Sequence, residues 1–329
     1  MIQPVEMRKT LPMTLHGGVV STTTEVWEML RASRDGDLDR VMQLVSQRPE
    51  LSTCQYNYTP PLHFAVRDGH LPLVRALVDQ RALDPSYKTY PFGDSLLTMA
   101  QDRNHDEIAV LLQGALANPE LTRKWKDTGK IDYGQDEEQI RFDKALHEGT
   151  LQEVERFLRD RPELARNELS SWAEGVLMMP ARGNNRSMLE LLMRFGAQVP
   201  AMSKWGRFYY FVHDDIAAFL LQSGMSPKHM SWQQVTLLHD MAQSGDIAKA
   251  RLLLDHGADI NAVDDEYRST PLGLAARWGQ RAMADFLLER GADPNKAGAP
   301  WSSPLAWAQK KGHSSLASDL MAAGAAANG

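Results

Sequence analysis

Ten histidines and forty-two carboxylates supply material for metal binding or acid–base chemistry, so spacing decides whether that chemistry is present. A helical zinc site needs two histidines four residues apart with a glutamate between them, and a calcium loop needs acidic residues at alternate positions ending in glutamate. Neither pattern occurs. Asp259, Asp264 and Asp265 lie close together, but in a stretch where aspartate is ordinary turn chemistry. The pairs Asp214–Asp215 and Asp136–Glu137 would need an apolar pocket to push two carboxyl pKa values apart, and no such pocket can be read around them. The lone cysteine, Cys54, excludes an internal disulfide and a cysteine-based zinc site, and it reads as a semi-buried neutral thiol. No Gly-x-Gly-x-x-Gly, phosphate loop or Gly-x-Ser-x-Gly elbow is found. The sequence therefore assigns no catalytic residue, no cofactor and no metal ligand.

The balance of 36 Lys+Arg against 42 Asp+Glu leaves a net charge of −6, which offers no basic field for nucleic acid. No apolar run is long enough to span a membrane. Leu11–Val20 is broken by Pro12, Thr14, His16, Gly17 and Gly18, which makes a poor secretory core, so residues 1–21 read as a flexible tail. A nearly cysteine-free chain fits a reducing cytoplasm.

The elements come from internal repetition. Thr270-Pro-Leu-Gly-Leu-Ala-Ala-Arg-Trp-Gly279 is followed by Met283, Phe286, Leu287 and Leu288 at helical spacing, and then by Gly291-Ala-Asp-Pro-Asn295. Ser303-Pro-Leu-Ala-Trp-Ala308 repeats the opening, as do Thr236-Leu-Leu-His239 and Pro60-Pro-Leu-His-Phe-Ala65. Leu252-Leu-Leu-Asp-His-Gly-Ala-Asp-Ile-Asn261 repeats the close. Proline in a first helical turn loses no hydrogen bond, paired alanines let helices approach, and glycine supplies the left-handed helix end. These motifs resemble the ankyrin repeat. The resemblance implies an all-α, helix-turn-helix solenoid with short β-hairpin fingers and about nine repeats, in which His63 and His239 bridge backbone groups of neighbouring turns. With no signalling domain read beside the repeats, a free-standing array of bacterial style is expected.

First-helix ends are expected at Gly36, Gly69, Asn104, Gly149, Asn184, Val212, Gly245, Gly279 and Gly312. Val212 does not suit such a site, so the sixth unit is expected to be distorted. Arg-Pro-Glu-Leu follows the second helix of units one and four and lengthens the exit turn. Repeats 1–3 fall at 22–112, an insertion or linker at 113–139, repeats 4–9 at 140–325, and a frayed end at 326–329. The insertion holds Trp125, the mixed-charge Arg123–Asp127 stretch and Asp136-Glu-Glu138, and it is expected to be a solvated excursion.

Aromatic residues precede the helix starts in unit after unit: Tyr58, Phe92, Trp172, Trp232, Tyr267 and Trp301. The two positions before each helix end, which the resemblance places on the concave groove, are charged in units one to four but carry Tyr210-Phe211 and Arg277-Trp278 in units six and eight. Tyrosine, tryptophan and arginine are the usual interface anchors. The expected function is a protein-binding scaffold whose partner contacts Tyr210, Phe211, Trp232, Tyr267, Arg277, Trp278 and Trp301. An inhibitory or immunity-type partner of an enzyme or toxin is the alternative, and an enzyme with a site near 113–139 ranks below both. The sequence leaves the oligomeric state open.

Overall fold

The computed structural model describes residues 1–90, 92–125 and 129–326. Lys126 and Asp127 of the mixed-charge stretch, and 327–329 of the end expected to fray, lie outside the described residues. Two units form, one of residues Glu6–Gly134 and one of Gln135–Gly329 joined by Met1–Val5.

In the N-terminal unit three helix pairs follow one another: α1 (Thr23–Asp35) with α2 (Leu38–Gln47), α3 (Pro61–Arg67) with α4 (Leu71–Asp79), and α5 (Leu96–Asp102) with α6 (Asp106–Leu116). Thr22 caps α1 by accepting from the Glu25 amide at 3.2 Å, while the Glu25 carboxylate turns to Ser21. At the far end Gly36 takes φ 72° and donates its N–H to Ala32. The first helices pack as a row, α1 on α3 on α5. All seven residues of α3 are buried, so its lack of amphipathic pattern marks a helix covered on every side.

The C-terminal unit continues the scheme with α7 (Glu137–Glu148) and α8 (Leu151–Asp160), a single turn α9 (Ser170–Ala173), then α10 (Met178–Arg182) with α11 (Arg186–Arg194). After these come α12 (Gly206–Tyr209) with α13 (Asp214–Gln222), and α14 (Leu237–Ser244) with α15 (Ile247–Asp255). The chain closes with α16 (Pro271–Arg277), α17 (Arg281–Glu289), α18 (Pro304–Lys310) and α19 (Ser314–Ala322). Its first helices stack as α7, α10, α12, α14, α16 and α18.

Left-handed backbone marks the repeat ends. Gly36, Gly69, Asn104, Asn184, Gly245, Gly279 and Gly312 all have positive φ, whereas Gly149 is extended and Val212 is not among the left-handed residues. Imidazoles bind four of these ends to the next unit. His70 donates to the Arg34 carbonyl at 2.8 Å, His105 to Val66 at 3.0 Å, His213 to Arg182 at 3.1 Å and His313 to Arg277 at 3.2 Å. Gln280 does the same to Gln243 at 2.9 Å. A Cβ on Gly279 would stand 2.7 Å from the His313 ring, so glycine serves both the φ and the close approach. His239 bridges Thr236 Oγ1 and the Ser269 carbonyl, whereas His63 Nδ1 meets the Tyr87 hydroxyl.

Several expectations need correcting. Residues 1–21 are not a loose tail. Strands β1 (Pro12–Thr14) and β2 (Val20–Thr22) pair through a turn at Gly17 and Gly18, both with positive φ, and β3 (Lys130–Ile131) adds to β1 in the order β2-β1-β3. Met7, Met13 and Leu15 are fully buried, and buried Glu6 accepts from the Tyr56 hydroxyl at 2.8 Å. Met1–Val5 belong to the other unit, where the Ile2 amide donates to Trp232 O at 2.7 Å. The 113–139 insertion is likewise tied down, because its N-terminal part completes α6, the Arg123 amide donates to Leu83 O, and β3 closes the sheet. Outside this sheet the described fingers hold only isolated bridges such as Tyr56↔Thr59 and Met202↔Met230, not hairpin ladders. The Arg-Pro-Glu-Leu segments become 3₁₀ turns, Pro49–Thr53 and Pro162–Arg166, because proline holds the preceding arginine out of the left-handed exit.

Candidate functional site

Five of the seven side chains expected to meet a partner are interior. Tyr210, Phe211, Trp232, Tyr267 and Arg277 are each 6% exposed or less. Helix α12 has only four residues and lacks the Pro-Leu start, which shifts its register and turns Tyr210 and Phe211 inward. The Tyr210 hydroxyl donates to Glu174 O at 2.6 Å and its ring stands edge-on to His229, with burial pushing the phenol pKa upward. The Arg277 guanidinium carbon lies 4.6, 4.2 and 5.0 Å from the ring centres of Tyr267, Trp278 and Trp307. That box holds its charge by cation–π attraction and braces Trp278 from beneath. Trp278 and Trp301 are half-buried and keep surface to offer.

The exposed aromatics are others. Tyr58 is 60% and Trp172 62% exposed, with Phe208 and Val212 also open. Both large finger rings sit on left-handed backbone. Asn57 and Tyr58 have φ 48° and 63°, and Ser171, Trp172 and Ala173 have φ 52°, 60° and 62°. Each left-handed non-glycine residue costs about 1–2 kcal/mol. Three in succession persist only where surrounding contacts over-determine them. Here those contacts are visible. Asp143 accepts from Ser170 Oγ at 2.6 Å and from the Ser171 amide, and Lys204 Nζ donates to Trp172 O at 2.6 Å. The Lys204 amide donates to Glu174 Oε1 at 2.9 Å, and Tyr210 holds Glu174 O. Half-buried Asp143 and Lys204, with buried Tyr210 and Glu174, thus hold the turn that carries the exposed tryptophan. Sequence reading placed Tyr58 and Trp172 on fingers but not on the partner surface. The available signal was a bulky residue where a turn calls for glycine.

Titratable groups show no convergent catalytic arrangement among the described residues, and no group of three or more His, Cys, Asp or Glu there could hold a metal ion. Burial pushes the Cys54 thiol far up, which keeps it protonated and unreactive. Burial lowers His229 and His239 to about 4, so both are neutral spacers. Asp240 on α14 is pushed up to about 7 by burial, against the pull of Arg207. An open groove of about 730 Å³ crosses α8, α11 and α13, lined by Leu151, Leu191, Phe219, Glu155, Glu190 and Arg194. Two of its carboxylates pair along their own helices, Glu155 with Arg159 and Glu190 with Arg186. No described helix is long and apolar enough to cross a membrane.

Comparison with known proteins agrees with this architecture. A family model described as ankyrin repeats (3 copies) matches residues 208–297, and one for a single ankyrin repeat matches residues 58–90. Together they cover less than half of the chain. The human transient receptor potential cation channel subfamily A member 1 is 22% identical over 86% of this chain and 29% of its own length. The human ARF GTPase-activating protein GIT1 is 34% identical over 30% of this chain and 12% of its own. A Drosophila melanogaster relative, ARF GTPase-activating protein Git, is 33% identical over 26% of this chain and 12% of its own. The chain thus spans under a third of each.

Proposed function

We propose that this chain, which carries ankyrin repeats, binds a protein partner through the first-helix face and finger turns of its C-terminal unit, with Trp172 as the leading anchor. The observation that carries this is the exposed Trp172 on three consecutive left-handed residues, held in place by Asp143, Lys204 and Tyr210. A fold has no stability reason to keep such a turn, whereas a rigid, pre-aimed aromatic is what tight interfaces use. Trp278 at the end of α16 and Trp301 just before α18 add half-buried aromatic surface along the row of first helices α7, α10, α12, α14, α16 and α18 of this unit. The setting is cytoplasmic, in line with a single buried thiol. Channel and GTPase-activating activities stay with the relatives named for them, of which only a fraction is matched.

Trp172→Gly relieves left-handed strain while losing the minor buried part of the ring, so stability is expected to hold within about 1 kcal/mol. Partner affinity is expected to fall by about 2 kcal/mol or more, as for an anchor residue. Urea unfolding and quantitative co-purification with mass spectrometry read the two effects. A variant that unfolds early, or that keeps every partner, removes Trp172 from this role.

A further inference from the structure

Two pairs of neighbouring second helices are built alike and closed differently. Between α15 and α17 an aromatic ring is roofed over: the guanidinium carbons of Arg251 and Arg290 lie 4.9 and 5.4 Å from the Phe286 ring centre, and Arg290 pairs with Asp255 across the two helices. Phe286 is accordingly buried. Helices α11 and α13 have the same nine-residue lengths, and α13 carries Phe219 at the sixth position, where α17 has Phe286. The three closing residues differ. Glu190 stands in the slot of Arg251, Arg194 in that of Asp255, and Ser223 in that of Arg290. Phe219 keeps the Arg186 guanidinium at 4.6 Å and stays half-buried. The open groove of about 730 Å³ lies where the missing clasp would be, lined by Phe219, Glu190, Arg194 and Ser223. Met193 and the exposed Leu151 of α8 extend its apolar lining. Both carboxylates that line it are taken, Glu155 by Arg159 and Glu190 by Arg186, each at 2.9 Å. Arg194 is exposed and makes no ion pair among the described residues. The fold gains nothing from an aromatic left half-open beside an unmatched cation, whereas a binding site uses both.

We infer that this second-helix groove docks an amphipathic helix of a partner protein, its apolar stripe on Leu151, Met193 and Phe219 and one carboxylate on Arg194. The chain itself supplies the charge argument. Where the groove is closed, Asp255 and Arg290 meet at this point; here a cation remains alone, so the occupant brings the carboxylate. An α-helix suits the floor because α8, α11 and α13 offer side chains and no free backbone edge, and a helix satisfies its own N–H and C=O groups. Size agrees: two steps between packed helices span about 16–20 Å, which about 11–14 helical residues cover. The groove is built by second helices, whereas Trp172, Trp278 and Trp301 belong to the fingers and the first-helix row, so the two readings fail separately.

The test uses the full chain and fluorescence anisotropy with three labelled peptides of about 14 residues. One has leucines at i, i+3, i+4 and i+7 with a glutamate beside that stripe, the second has Lys for Glu, and the third is shuffled so that its leucines fall all round the helix. The Glu peptide is expected to bind, the Lys peptide about fivefold more weakly, and the shuffled peptide not at all. Arg194→Glu is expected to reverse the preference between the Glu and Lys peptides. Arg194→Asp with Ser223→Arg rebuilds over Phe219 the pair that Asp255 and Arg290 make. That variant is expected to bind the Glu peptide about twentyfold more weakly or worse, with a urea midpoint equal to the wild type or higher. No binding of the Glu peptide at about 1 mM would overturn the inference. Equal binding of Glu and shuffled peptides, a preference unchanged by Arg194→Glu, or full binding by the rebuilt variant would each overturn it too. So would a wild-type dimer, seen by sedimentation velocity, that the rebuilt variant dissolves, because a second copy would then be the occupant.

Discussion

Tyr210→Phe separates a core tyrosine from an interface tyrosine. The hydroxyl is buried and donates to Glu174 O at 2.6 Å, and that carbonyl closes the left-handed turn bearing Trp172. Removing it forfeits a net hydrogen bond of about 1 kcal/mol and leaves a buried carbonyl unsatisfied, for a total near 2 kcal/mol. In a unit of this size that corresponds to a melting shift of about 4–8 °C. Tyr210→Ala, which also empties an aromatic site, is expected to cost about 3–5 kcal/mol. Six of the eight tryptophans (172, 205, 232, 278, 301 and 307) lie in the C-terminal unit, so tryptophan emission during urea unfolding reports mainly there. Because Tyr210 also supports the strained turn, Tyr210→Phe combined with Trp172→Gly should cost less than the sum of the two single changes. An unchanged midpoint for Tyr210→Phe together with lost partner binding would refute the burial argument and return Tyr210 to the surface.

Further outcomes follow from the repeat ends and buried groups. Gly279→Ala should destabilise by more than the roughly 1 kcal/mol of left-handed strain, since its Cβ meets the His313 ring, and His313→Ala should remove part of that excess in a double-mutant cycle. His229 and His239 hold folded pKa values near 4 against 6.5, so the unfolded chain binds the extra protons between those values. Stability should therefore fall as pH drops from 6.5 toward 4, by up to about 3 kcal/mol for each histidine. Asp240 has the opposite sign: raised from 3.8 to about 7, it keeps a proton that the unfolded chain loses, so stability declines as pH climbs through that window. Asp240→Asn should accordingly stabilise more at pH 8 than at pH 5, measured by urea midpoints. Cys54, buried in the N-terminal unit, should resist thiol reagents in the folded chain and react once that unit opens; rapid labelling under native conditions would contradict its burial.

What could be read from sequence was whatever repeats. Seven of nine expected first-helix ends are left-handed, and the histidine after the helix end bridges units at 70, 105, 213 and 313. Periodicity is a local signal repeated several times, so single substitutions do not erase it. Non-repeating contacts were hidden. The β1–β2–β3 sheet joins segments more than a hundred residues apart, and its short strands leave no alternation to detect. The site misled because family position does not by itself fix exposure: Arg67 and Arg277 are buried even in the seven-residue helices α3 and α16. In the four-residue α12 the same positions point inward, while Trp172 reaches solvent through a conformation that tryptophan rarely adopts.

Photocrosslinking from position 172 tests most directly whether the C-terminal unit binds protein through this face. A benzophenone amino acid replaces Trp172 in the source cell, with the same group at Trp278, at Met321 on α19 and at Val110 on α6 in separate chains. The expected result is one protein crosslinked from both 172 and 278 and absent from 321 and 110. Crosslinks from 321 or 110 with none from 172 would contradict the proposed function.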